Sequence, residues 1–118
     1  MLRAALAITL LLLATPAHAE WRAQDTQRQA AYLTLHAIDW RQTRTIADED
    51  YCDEVNPALG NCPDRSSVDQ YFVATAMLHT MIAYALPPRY RASFQYLTIG
   101  VQAGAVSHNA RVGVRIDW

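Results

Sequence analysis

The chain has no lysine: all ten of its basic residues are arginine, and against eleven acidic residues they leave a net charge of −1 in 118 residues. Without a basic surplus gathered on one face, charge-driven nucleic-acid binding has no electrostatic basis. Cysteine is nearly absent too, with two residues in a C-x9-C spacing, Cys52 and Cys62, which is neither a zinc nor a thioredoxin pattern. There is no G-x-S-x-G elbow to activate a serine, no H-x-x-x-H or H-E-x-x-H zinc spacing, no internal repeat and no low-complexity segment. Apolar runs of membrane-spanning length are also missing at the amino terminus, where the apolar run after Arg3 ends at Ala14, before the breaker Pro16, short of the roughly 20 residues that span a bilayer.

What is present at the amino terminus is one arginine, an apolar run from Ala4 to Ala14, and Ala17-His18-Ala19 before Glu20. This is the three-part grammar of a secretory signal with an A-x-A cleavage site, an uncleaved anchor being the alternative. The expected organisation is a signal peptide over residues 1–19 and one small helical domain over 20–118. Export to an oxidising compartment makes a Cys52–Cys62 disulfide the first reading of the pair, ahead of two free thiols. A bridge closing so short a loop stabilises by roughly 2–3 kcal/mol in the chain-entropy picture.

Between Gln24 and Ala47 there is no glycine or proline, and Arg28, Tyr32, Leu35, Asp39, Gln42, Thr43 and Ile46 recur at three- and four-residue steps. The spacing predicts an amphipathic helix over about 24–47. Asn56-Pro57, Gly60 and Pro63 then break the chain into a loop. Ser67 followed by Gln70 has the form of a capping box, opening a second, largely apolar helix over about 68–86 that Pro87-Pro88 stops. Pro88 suits the first position of a third helix, over about 88–108. The expected fold is all-α: one amphipathic helix plus an antiparallel helical hairpin, with a short extended tail in which Val112, Val114, Ile116 and Trp118 alternate with Arg111, Gly113, Arg115 and Asp117 at a strand period.

The two apolar segments lie at the border between a membrane hairpin and a soluble bundle. For insertion, Arg89 and Arg91 gather in the short turn while the other loop is acidic, as the positive-inside rule asks of a cytoplasmic turn. Against it, Thr75, His79, Thr80, Gln95 and Gln102 are costly to present to lipid.

The motifs DWRQT (residues 39–43), EVNPALGNCP (54–63), AYALPPRYR (83–91) and QYLTIGVQ (95–102), with His79 and Asn109, resemble an uncharacterised group of small proteobacterial and phage proteins. That group has a D-x-x-Q-T helix, an E-x-N-P-x-L-G loop and two hydrophobic helices. The cysteines stand outside its pattern. The resemblance implies an all-helical exported or membrane protein of phage-related type, and supplies no catalytic mechanism.

The polar residues on apolar helices are the candidate site: Asp39, Thr43, His79 and Asn109, with Glu54 and Asn56 from the loop. The plain reading is a structural polar cluster, because buried polar groups must find partners. A metal held by His36, Asp39 and His79 is the weaker alternative, and no catalytic residue or cofactor is expected. The functional expectation is a non-enzymatic protein of the envelope, in the inner membrane with a periplasmic loop or in the periplasm. It would act by helix contacts with itself, as a homo-oligomer, or with another inner-membrane or envelope protein. The alternative is a soluble periplasmic module binding a small ligand or metal ion.

Overall fold

A computed structural model describes residues 20–48 and 64–113, and these form three α-helices: α1 (Ala23–Asp48), α2 (Arg65–Ala85) and α3 (Pro88–Arg111). No strand occurs among the described residues. The proposed signal segment, the Cys52–Cys62 pair, Glu54, Asn56 and the tail beyond Gly113 lie outside them.

The start of α1 is fixed by Asp25, whose carboxylate accepts from the Arg22 backbone N–H at 2.9 Å, the reach-back half of a capping box. Beside it the Trp21 indole donates to Thr26 Oγ1 at 2.7 Å. The expected Ser67–Gln70 box is not how α2 begins. Asp64 is the N-cap and its Oδ1 accepts from Ser67 N at 2.7 Å, so the helix opens at Arg65, before the apolar run that suggested it. An acidic side chain ranks with serine as a cap, and Asp64 comes first in the chain. Pro88 stands in the first turn of α3, as expected. The far end of α3 runs past His108 to Arg111 and closes on Gly113 at φ 85°, a left-handed position that suits glycine. Arg111, expected in an alternating strand, is thus helical.

Contacts between side chains give the register. Asp25 meets Arg91, Gln29 meets Gln95 and Asn109 meets Gln42, so α1 and α3 run in the same direction. Gln29 meets His79 and Trp40 meets Asp69, so α1 runs against α2. Of the three interfaces α1–α3 is the largest and α2–α3 the smallest.

The bundle is arranged inside out. Among the described residues the buried apolar side chains are Tyr32, Ile46, Val68, Phe72 and Ala83, while ten polar or charged residues are buried. Large apolar residues face outward instead, among them Met77 (63 % exposed), Leu97 (70 %) and Val101 (69 %). Of the stripe expected on α1, Tyr32, Gln42, Thr43 and Ile46 are buried, and the rest is shifted by the tertiary packing. The inward seam of α1 is Asp25, Gln29, Tyr32, His36, Gln42, Thr43 and Ile46, at helical steps, whereas Arg28, Leu35 and Asp39 are half-buried at its flank. No described helix is long and apolar enough to cross a membrane, so the expected spanning segments over 68–86 and 88–108 do not stand as single helices. The polar residues on their inner seams lower the average.

Candidate polar core

The interior holds two hydrogen-bonded clusters, one toward each end. At the end where α2 turns into α3, Arg91 is completely buried. Three residues into α3 from Pro88, its guanidinium points back at the end of α2, whose last carbonyls have no helical partner of their own. Nε donates to Ala83 O at 2.6 Å, and Nη2 donates to Tyr84 O at 3.2 Å and Leu86 O at 3.0 Å. Nη1 donates to Asp25 Oδ2 at 2.9 Å and Glu20 O at 3.3 Å. All five N–H groups of the side chain are therefore in use. Arg28 donates to the other oxygen of Asp25.

A directed chain leads inward from Arg28. Its Nε donates to Gln95 Oε1 at 2.8 Å, which fixes the orientation of that amide. Gln95 Nε2 then donates to Gln29 Oε1 at 3.2 Å, and Gln29 Nε2 to His79 Nδ1 at 3.0 Å. With Nδ1 accepting, the His79 proton lies on Nε2 and is donated to Thr98 Oγ1 at 2.7 Å; the threonine hydroxyl passes on to Phe94 O at 2.8 Å. The network thereby assigns both the amide orientations and the histidine tautomer.

The second cluster centres on Asp39. Its carboxylate accepts from Gln102 Nε2 at 2.6 Å, Asn109 Nδ2 at 3.0 Å and Thr43 Oγ1 at 3.3 Å. Because an ionised carboxylate only accepts, the Gln102 amide must turn its oxygen the other way, toward His36 Nδ1 at 2.9 Å. His36 Nε2 lies 3.0 Å from Phe72 O. Both ring nitrogens of His36 thus have oxygen partners, Nε2 also lying 3.0 Å from Thr75 Oγ1. Asn109 Nδ2 also donates to Gln42 Oε1 at 3.0 Å.

Tyr32 joins the two clusters. Its ring stacks on His79 at 3.5 Å between centroids and 7° between planes, and on His36 at 5.2 Å and 20°. The interior is a ladder from Arg91 to Asn109.

Of the residues proposed from sequence, Asp39, Thr43 and Asn109 come together, and His79 belongs to the other cluster. The metal candidates His36, Asp39 and His79 do not form a coordination set. Each histidine nitrogen already has a protein partner, and no group of three or more potential ligands is found among the described residues. Sequence reasoning missed Asp25, Gln29 and Arg91 as interior residues. Arg91 looked like a turn arginine beside Arg89. The signal that separates them is helical phase: Arg91, Gln95, Thr98 and Gln102 fall on one seam, and Arg89 does not. No family model matches the chain, and no curated protein or solved structure matches it.

Proposed function

We propose that this is a non-enzymatic protein of the cell envelope that acts through the outward faces of its helices, in contact with further copies of itself or with another membrane protein. The observation that carries this reading is the inversion of the bundle: its polar groups bond one another inside, and its apolar side chains are directed outward. In this reading α2 and α3 act as an antiparallel hairpin held together mainly by α1. Between α1 and α2 a shallow apolar groove of about 410 Å³, lined by Leu33, Ala76, Met77, Thr80 and Met81, is a natural seat for a neighbouring helix.

Small-ligand or metal binding between the helices has less support, since the side chains that would serve it, His36, Asp39 and His79, are occupied by protein groups. Photo-crosslinking tests the contact reading. A photoreactive residue at Leu33, Met77 or Met81 is expected to give a discrete protein adduct in cells, while one at Ser66 gives none. Absence of adducts at all three outward sites would count against it. Export is checked separately, by a mature amino terminus at Glu20 and by Cys52 and Cys62 resisting alkylation until reduced.

A further inference from the structure

The outward apolar residues do not form a single patch. Leu33 lies on α1, Met77 and Met81 on α2, and Leu97 and Val101 on α3, each exposed, so they ring the middle of the bundle on all three helices. A second copy of the chain covers one side of such a ring; a fluid medium covers all of it. The surface within the ring carries no exposed aspartate, glutamate, arginine or histidine on α1 between Arg28 and Arg41, on α2 between Asp69 and Tyr84, or on α3 between Arg91 and His108, where the exposed Tyr96 phenol is uncharged. At 1.5 Å per residue these bands are roughly 20–25 Å tall, close to the roughly 30 Å hydrocarbon layer of a bilayer.

The rims fit the same medium. At the end where α2 meets α3, Trp21 and Tyr84 pack at 5.9 Å, Arg89 lies over the Tyr90 ring at 4.5 Å, and Arg22 is exposed nearby. Aromatic rings beside arginines are suited to the headgroup level, and the positive charge complements anionic lipid. The low hydropathy of each helix does not oppose this, because an average over a helix counts inward residues that lipid never meets. Inside, the polar groups have the protein partners that a hydrocarbon setting demands.

Resting on the envelope reading above, we infer that the partner of this ring is lipid hydrocarbon: the assembled three-helix bundle, rather than any single helix, is the unit that a bilayer surrounds. Flotation with vesicles is a poor test, because the apolar run over residues 4–14 could itself bind lipid. Collision measurements at single sites are specific. In the full chain with Cys52→Ser and Cys62→Ser, the variants Leu33→Cys, Met77→Cys, Leu97→Cys and Ser66→Cys are nitroxide-labelled and reconstituted in phosphatidylethanolamine–phosphatidylglycerol vesicles. At the first three sites the label is expected to collide several-fold more with oxygen, relative to a water-soluble nickel chelate, than at Ser66. Chelate collisions at all three sites matching those at Ser66 would overturn this inference, whereas the envelope reading stands or falls on the cross-linking in cells. A site shielded from both probes, with chelate reaching the others, would identify a protein copy on one face; that overturns the lipid inference and leaves the contact reading standing. Oxygen-rich sites without any cross-linked adduct would leave the lipid inference standing alone.

Discussion

At the scale of single residues, the most consequential side chain is Arg91, which at 0 % exposure joins the end of α2, the start of α1 and the beginning of α3. Lysine keeps the charge but offers three donors from one nitrogen and cannot reproduce the planar fork. Arg91→Ala leaves Asp25 with Arg28 as its one charged side-chain partner and strips a donor from the carbonyls of Ala83, Tyr84 and Leu86, a loss of about 3–5 kcal/mol; Arg91→Lys is expected to recover only a minor part, as read by chemical denaturation. Asp39 makes a subtler case. Asp39→Asn turns an acceptor of three donors into a group that must itself donate, so either Gln102 or Asn109 loses its bond. The expected cost is about 1–3 kcal/mol, against less than about 0.5 kcal/mol for Gln27→Ala on the surface. Equal effects from the two would show that Asp39 is solvated.

The helices as elements are set by their ends and seams. Asp64 begins α2, and the Ser67 backbone N–H bonded to its carboxylate, with help from the Ser67 side chain, holds its carboxyl below the ordinary value of 3.8. A carboxyl whose folded value is depressed contributes stability that is fully present above its unfolded value and lost as pH falls through the folded one. Asp64→Ala is therefore expected to lower the melting temperature near neutral pH, and Asp64→Asn to lower it less. The gap between wild type and Asp64→Asn should close as pH is taken below 3.8, the ordinary carboxyl value; a gap that stays constant would show that the charge of the cap is irrelevant. The inner seams of α1 and α3 depend on one another in the same way. Gln102→Leu removes the bridge between His36 and Asp39 and leaves both with an unmet bond, at about 1–3 kcal/mol for each. Combined with Asp39→Leu, part of that loss should be recovered, a coupling that a double-mutant cycle measures.

The behaviour of the whole molecule follows from its inverted distribution of polarity. A bundle that buries glutamine, asparagine, histidine and arginine draws little of its stability from removing apolar surface from water, because that surface remains outside. The folded chain is expected to need an apolar environment: in detergent micelles it should melt cooperatively, and on dilution below the critical micelle concentration it should self-associate. A monodisperse, cooperatively melting protein in plain buffer would contradict this. Leu97→Arg together with Val101→Arg should ease aggregation in buffer while leaving helix content unchanged.

Three helices, their order and most of their length were legible in the chain, because Pro87 and Pro88, which part α2 from α3, and the unbroken run from Gln24 to Ala47 act locally. The pairing of Asp39 with Thr43 was within reach for the same reason, as the two are one helical turn apart. The start of α2 was less legible, since Asp64 and Ser67 are both good caps and only the folded backbone shows which of them the chain uses. The side of each helix that faces inward was decided by the tertiary structure. Periodicity marks a stripe, but it assigns the apolar side to the core by assumption, and here polar residues occupy the seam. Arg91 is buried against Asp25 of α1, whereas Arg89 is exposed and lies on its neighbour Tyr90. That is a property of residues more than sixty positions apart, which no local pattern in the sequence records.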